Sequence, residues 1–207
     1  MALGTVIRSF AAPAAQPMDL AWDGRTLWCT SFNTDRIYQI DPVTGKTIQS
    51  FPAIGVQTMA LAWDGRTLLF SDFGTGQLYQ IHPVTGTIIR NIPSPGATPT
   101  GACWDGARLW STSFGGQLIQ QIDSDTGQLI RSFASPSTEP RGLCWDGVAL
   151  WHCDTNTDRI YRINPNTGTV IIDFAPPDAT SLGLTWDGRA LWCAGFSTNR
   201  IYQIAVN

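Results

Sequence analysis

Charge is scarce in this 207-residue sequence, in which charged residues make up only 14% and the formal net charge is −3. The 13 lysine and arginine residues are scattered and form no run. A protein that binds nucleic acid or another polyanion by electrostatics needs a basic patch that neutralises several negative groups. The composition therefore argues against this class of function, and no nucleic-acid partner is expected.

Long apolar segments are also missing, because no stretch of 18 consecutive apolar residues occurs. A membrane-spanning helix needs about 20 such residues, so no membrane partner is expected. The segment MALGTVIRSF at the start of the sequence matches an internal repeat rather than a signal peptide. We therefore expect a cytoplasmic protein.

Cysteine spacing gives no sign of a metal or redox site. The five cysteines are odd in number and form no Cys-x-x-Cys, which argues against a disulfide framework or a zinc knuckle. The run His152-Cys153-Asp154 resembles a ligand set, but neighbouring residues on a strand point to opposite sides. Only His152 and Asp154 could then share a metal ion, and two ligands make a poor zinc site. No metal and no cofactor is expected.

A five-fold repeat dominates the sequence. The tripeptide Trp-Asp-Gly recurs every 41 residues, starting at Trp22, Trp63, Trp104, Trp145 and Trp186. Each unit predicts four strands: one before the tripeptide that is apolar on both faces, two after it, and an outer strand in which apolar and polar residues alternate. Asp-Gly is interpreted as a two-residue hairpin turn, and Pro and Gly mark the turn before the fourth strand. No window shows a helical period of useful length.

Four-stranded repeats of about 40 residues are typical of a β-propeller. The predicted fold class is therefore all-β, a five-bladed β-propeller with four antiparallel strands per blade. GTVIRSF at residues 4–10 matches the fourth strand GKTIQSF at residues 45–51, whereas the last unit stops after its third strand. The N-terminal strand is thus predicted to join the last blade and close the ring, which removes an open edge. A single domain, 1–207, is predicted, with blades at residues 15–51, 56–92, 97–133, 138–174, and 179–207 plus 4–10.

All nine tryptophans fall in two repeat columns. Five begin the Trp-Asp-Gly tripeptides and four lie in second strands, where the second unit has Leu69 instead. A residue that recurs in nearly every blade meets a need that every blade has. We interpret the tryptophans as packing between blades rather than as stacking platforms for sugars or bases.

Positions at which one unit departs from the others predict a binding site. Glu139 is the only glutamate in the sequence, Arg141 replaces a methionine, threonine or leucine, and Asp19 replaces alanine or glycine. Asp72 and Asp154 belong to a polar column of the second strand. In a propeller the first strand lines the axis, and the loop after the second strand reaches the same face. These residues are therefore expected around one mouth of the central channel. A salt-bridged channel, for example with Asp19 paired to Arg141, is the alternative.

The blade LAWDGRTLWCTSFNTDRIYQIDPVTGKTIQSF, residues 20–51, resembles the blades of YncE-like and glutamine-cyclotransferase-like propellers. The resemblance covers the whole chain and implies the propeller architecture. The glutaminyl cyclases of that group are five-bladed and use a glutamate near the axis, after the second-strand aromatic residue. This chain has no glutamate there, so cyclase chemistry would need Asp72 or Asp154 as its proton shuttle. A second analogy, with five-bladed lectins of the tachylectin kind, rests on blade number and on the loop aromatics Phe32, Phe73, Phe114 and Phe196.

We expect a monomeric, non-catalytic propeller that binds a protein partner or a small ligand at one mouth of the channel. The predicted ligand-binding residues are Asp19, Asp72, Glu139, Arg141 and Asp154. Two alternatives stay open. A carbohydrate-binding lectin predicts several near-equivalent pockets, whereas a glutaminyl-peptide cyclotransferase-like enzyme predicts one asymmetric, charged pocket.

Overall fold

Twenty strands form five four-stranded antiparallel sheets in the computed structural model, which describes residues 1–53, 57–96 and 98–206. The first blade consists of β2 (Pro17–Trp22), β3 (Leu27–Ser31), β4 (Arg36–Ile40) and β5 (Thr47–Pro52). The second consists of β6 (Thr58–Trp63), β7 (Leu68–Asp72), β8 (Gln77–Ile81) and β9 (Ile88–Pro93). The third consists of β10 (Pro99–Trp104), β11 (Leu109–Ser113), β12 (Leu118–Ile122) and β13 (Leu129–Ala134).

The fourth blade consists of β14 (Pro140–Trp145), β15 (Leu150–Asp154), β16 (Arg159–Ile163) and β17 (Val170–Phe174). The fifth combines β18 (Ser181–Trp186), β19 (Leu191–Gly195) and β20 (Arg200–Ile204) with β1 (Val6–Ala11) from the start of the chain. Residues 56, 97 and 207, which bound three of the predicted blades, lie outside the described residues. Nowhere in the described ranges does the chain form a helix long and apolar enough to cross a membrane.

The innermost strand of each blade contacts the innermost strands of both neighbouring blades, so that the five blades form a closed ring. These strands are buried along nearly their whole length, as their apolar residues at consecutive positions predicted. The predicted five-bladed propeller is therefore confirmed.

The N-terminal strand completes the fifth blade, as predicted. Strand β1 pairs with β20 in antiparallel register, with Phe10 opposite Ile201. The main-chain amides of Gly4 and Ala205 donate hydrogen bonds of 2.9 Å to the carbonyl oxygens of Ala205 and Thr5, respectively. These bonds hold both ends of the chain in the same sheet and close the ring.

The Trp-Asp-Gly turn is longer than the predicted two residues. In the first blade Trp22 pairs with Leu27, so four residues form the loop between the strands. The Asp23 carboxylate accepts the Thr26 amide at 2.6 Å and the Trp28 indole N–H at 2.9 Å. The aspartate side chain thus organises a wider turn, which Asp-Gly alone did not reveal. The same indole bond recurs from Trp110, Trp151 and Trp192.

The hydrophobic core lies between neighbouring blades, which confirms the packing interpretation of the tryptophans. Each large cluster of buried side chains combines residues from two adjacent blades. Trp28 is almost fully buried, and its ring lies 6.0 Å from that of Phe51 on the outer strand. In the second blade the smaller residues Leu69 and Ile92 share one cluster instead. All five cysteines are free and buried in this core.

Candidate functional site

Two loops of each blade meet at one face of the ring, which we call the mouth. The residue that follows the second strand donates its amide to the carbonyl oxygen just before the first strand in all five blades. These bonds link Phe32 to Gln16, Phe73 to Gln57, Phe114 to Thr98, Thr155 to Glu139 and Phe196 to Thr180. The backbone is therefore equivalent around the mouth, and the blades differ there in their side chains.

The fourth blade departs from the repeat at three positions that touch one another. Arg141 donates from Nε to the Thr155 hydroxyl oxygen at 3.2 Å, and that hydroxyl donates to Glu139 Oε2 at 2.7 Å. Arg141 Nη2 lies 3.8 Å from the same carboxylate oxygen. Glu139 and Arg141 at the start of β14 and Thr155 after β15 thus form one polar unit, which we call the Glu–Thr–Arg unit.

Arg141 is held in place from the neighbouring blade. Its guanidinium carbon lies 4.7 Å from the centre of the Phe114 ring, within the range of a cation–π contact. In the described part of the chain, Nε is its only nitrogen within hydrogen-bond distance of a partner. An arginine has five N–H donors in a planar fork, so several remain available to an oxygen atom of a ligand. The side chain of Glu139 is 43% exposed, so its carboxylate is also accessible.

The Glu–Thr–Arg unit forms one wall of a cleft of about 340 Å³. The rest of the lining is mostly apolar and comes from the first and fifth blades: Met18, Phe32, Thr180, Leu182 and Phe196. Ligand sites generally have volumes of about 300–1,000 Å³. This cleft is at the lower end of that range, and suits one small molecule or a single residue of a chain.

Asp19 lies one level deeper, on the axis, and is fully buried. Its Oδ1 accepts the amides of Leu20 at 2.9 Å and Leu184 at 3.2 Å, and its Oδ2 accepts the amide of Leu61 at 2.8 Å. Burial raises the pKa of this carboxyl well above its ordinary value, whereas the three amide bonds lower it. Asp19 therefore ties together the first, second and fifth blades. It does not line the cleft, and Arg141 pairs with Glu139 rather than with Asp19.

The axis is packed by backbone at the level of Asp19. A Cβ added to Gly101 would lie 2.2 Å from the Arg141 carbonyl oxygen, and one added to Gly183 would lie 2.4 Å from the Asp19 Cα. Glycine is required there because the neighbouring inner strands touch. On the far side of this level, away from the mouth, the inner strands line a shaft of about 80 Å³.

Asp72 and Asp154 lie beneath the mouth, where both are buried. Asp154 accepts the Glu139 amide at 3.0 Å and the Asn156 amide at 2.9 Å, and Asp72 accepts the Thr75 amide at 2.8 Å. Their carboxylates thus organise the loops. Of the five predicted ligand-binding residues, the structure brings Glu139 and Arg141 together in the cleft and places Asp19, Asp72 and Asp154 outside its lining.

Thr155 is the site residue that the sequence reasoning missed. The available signal was the column of loop phenylalanines, which has one gap, at Thr155.

Other chemically active side chains lie in the core rather than at the mouth. His152 is fully buried, with its imidazole nitrogens 3.1 Å from Ser135 Oγ and 3.2 Å from the Gly142 carbonyl oxygen. Burial also raises the pKa of all five thiols, so that none is a ready nucleophile. Among the residues that the structure describes, no group of three or more His, Cys, Asp or Glu side chains could hold a metal ion.

Comparison with solved structures agrees with the architecture. The glutaminyl cyclase of Myxococcus xanthus matches with a TM-score of 0.82 at 16% identity, over 97% of this chain and 94% of that one. The virginiamycin B lyase of Staphylococcus aureus matches with a TM-score of 0.59 at 19% identity, over 96% of this chain and 69% of that one. A streptogramin B lyase matches with a TM-score of 0.57 at 21% identity over the same shares, 96% and 69%.

No protein-family model matches the sequence, and no curated protein matches it. At these identities the likeness to solved structures shows the fold alone. The resemblance of the blades to glutamine-cyclotransferase-like propellers is thereby confirmed for the architecture.

Proposed function

We propose that this propeller binds a small ligand in the mouth cleft. One observation carries the proposal: Glu139, Thr155 and Arg141 depart from the repeat together, touch one another, and line the cleft. The ligand carries a cationic donor for Glu139, an acceptor oxygen for Arg141 and an apolar group for the apolar part of the lining. An α-amino acid, or the amino-terminal residue of a peptide, has these three groups.

The spacing of the charged pair supports a role in binding. The distance of 3.8 Å between Arg141 Nη2 and Glu139 Oε2 exceeds the usual 2.7–3.2 Å of an N–H···O hydrogen bond. A partly exposed pair at this distance contributes about 1 kcal/mol or less to stability. Stability therefore gives little reason for both charges, whereas a dipolar ligand would complete the hydrogen bonding of each.

Isothermal titration with L-leucinamide tests the proposal, because this compound has an ammonium group, a carbonyl oxygen and an apolar side chain. N-acetyl-leucinamide lacks the cation, and isoamylamine lacks the carbonyl group. We expect saturable binding of leucinamide and a loss of about tenfold or more for each analogue, as for a missing charge-assisted hydrogen bond.

Glu139→Gln and Arg141→Ala should each weaken leucinamide binding to a similar extent while the thermal unfolding transition is retained. Asp125→Asn and Arg25→Ala are matched controls, since both residues are exposed and neither lines the cleft. Equal binding of all three compounds, or no saturable heat at millimolar leucinamide, would refute the proposal.

A glutaminyl-cyclase-like activity is the second candidate, favoured by the match to the Myxococcus xanthus enzyme over nearly the whole of both chains. The cleft is asymmetric and charged, because its lining residues differ from blade to blade, which supports this candidate over the lectin. Glu139 is the carboxylate that lines it. In this reading Glu139, rather than Asp72 or Asp154, would transfer the proton.

Ammonia release from a peptide with an amino-terminal glutamine measures this activity directly. The second candidate predicts release by the wild type and by Asp125→Asn, and none by Glu139→Gln. An absence of release by the wild type would discard the enzyme and leave the binding protein.

A further inference from the structure

The mouth has four phenylalanine rings on five equivalent loops. The loop amides donate to their carbonyl partners at 3.0 Å for Phe32, 2.9 Å for Phe73, 3.1 Å for both Phe114 and Phe196, and 3.3 Å for Thr155. The backbone therefore holds Thr155 in the fourth blade in the position in which it holds the loop phenylalanines in the other four blades. Only the ring itself is missing.

The neighbours of the existing rings show where the fifth ring would lie. Phe114 covers the guanidinium group of Arg141, the second residue of the inner strand β14 of the next blade. Phe196 packs on a cluster of Met18, Met59 and Leu182, in which Met18 is the equivalent of Arg141 in the blade that follows Phe196. Thr155 is equivalent to Phe114, and Leu182 is equivalent to Arg141, each one blade further on. A ring at position 155 would therefore cover Leu182. Thr155 and Leu182 both line the cleft, so the cleft contains the place of the missing ring.

We propose that an aromatic ring of the ligand takes this place, an inference that rests on the proposed function. The ligand class is then an aromatic α-amino acid residue with a free ammonium group, either as the free amino acid or as the first residue of a peptide. Phe32 and Phe196 line the same cleft, and aromatic rings gain from tilted or stacked contacts beyond the area that they bury.

Thr155 has two roles in this arrangement. Its small side chain leaves the ring site open, and its hydroxyl group bridges Arg141 and Glu139, which hold the polar end of the ligand. Serine keeps both properties. Phenylalanine restores the residue of the other four blades, so that it fills the ring site without introducing a side chain foreign to the fold.

The test compares L-phenylalaninamide with L-alaninamide by isothermal titration on the wild type, Thr155→Ser and Thr155→Phe. We expect phenylalaninamide to bind the wild type and Thr155→Ser about tenfold or more tightly than alaninamide does, as for the burial of a large apolar group. Thr155→Phe should abolish this preference. Leu182→Ala, which removes the expected floor of the ring site, is a second variant that should weaken phenylalaninamide more than alaninamide.

Saturable but equal binding of the two amides to the wild type would overturn this inference and leave the proposed function in place. No saturable binding of either amide, or of leucinamide, would overturn the proposed function itself. Titration with L-phenylalanine and with a peptide beginning with phenylalanine distinguishes the two sources of the ligand. Retention of the preference for phenylalaninamide in Thr155→Phe would also overturn the inference, since the ring site would then be elsewhere.

Discussion

Acid should destabilise this propeller through His152, and the chain itself supplies the control substitution. Burial lowers the pKa of His152 to about 4 from an ordinary 6.5, against the charge of Asp154 and the bond to Gly142, which raise it. The folded protein therefore keeps the imidazole neutral at a pH where the unfolded chain binds a proton. The contribution to stability is complete above pH 6.5 and is lost as the pH falls towards 4.

The magnitude follows from the two pKa values. One unit of pKa corresponds to about 1.4 kcal/mol, so acidification from pH 7.5 to pH 4.5 should cost roughly 2–3 kcal/mol at this residue. The equivalent residue of the second blade is Phe70, which is fully buried and stacks on Tyr79 at 5.2 Å, with an angle of 21° between the rings. His152 stacks on Tyr161 with the same angle, at 6.4 Å. His152→Phe thus keeps an aromatic ring in place and removes only the titration and its hydrogen bonds.

Urea unfolding followed by tryptophan fluorescence, at pH 7.5 and pH 4.5, measures the effect in both proteins. Other groups, such as Asp23 and Asp146, have lowered pKa values, so their contributions to the stability of the protein are also lost in acid. They do so in both proteins, so the difference between the two acid losses isolates His152. We expect the variant to lose roughly 2–3 kcal/mol less than the wild type. Losses that agree to within about 0.5 kcal/mol, the usual error of additivity, would refute this reasoning.

Two further predictions concern the ring and its axis. Deleting residues 1–11 should lower the melting temperature or cause aggregation, because β1 and the Phe10–Trp192 contact of 5.8 Å are lost. An added peptide of this sequence should restore the unfolding transition. An unchanged melting temperature would contradict closure of the ring by β1. Because burial raises the pKa of Asp19, the folded state favours its protonated form, so the stability of the wild type relative to Asp19→Gly should fall as the pH rises from 5 to 8. Urea midpoints of both proteins at the two pH values measure this, and a constant difference would show that the amide bonds balance burial.

Much of the architecture could be predicted from the sequence because repetition turns weak local signals into a strong one. Five copies of one pattern fixed the number of blades, and the unmatched strand at residues 4–10 indicated how the ring closes. The four-residue Trp-Asp-Gly loop was not predictable from turn propensity. It depends on the carboxylate of Asp23 and its equivalents, which bind the amides of the loop and the indole of the next strand.

The site was only partly readable for a different reason. Asp19 is the polar residue at a repeat position that is otherwise alanine or glycine, which suggested contact with solvent. In the structure, main-chain amides of the inner strands point to the axis and donate hydrogen bonds to the Asp19 carboxyl group there. Glu139 and Arg141 could be found because they add charge where the repeat has none. The only signal for Thr155 is that the fourth blade lacks the loop phenylalanine of the other four blades, since threonine by itself does not indicate a function.

The packed level around Asp19 and the inner-strand glycines makes the molecule two-sided. The cleft at the mouth and the shaft on the other side are separate compartments, because backbone atoms and the fully buried carboxyl group of Asp19 lie between them. A ligand must therefore enter and leave the cleft from the same face, and it cannot pass along the axis. Substitutions on the far face can change that surface without altering the cleft, so one ring can present two surfaces that change independently.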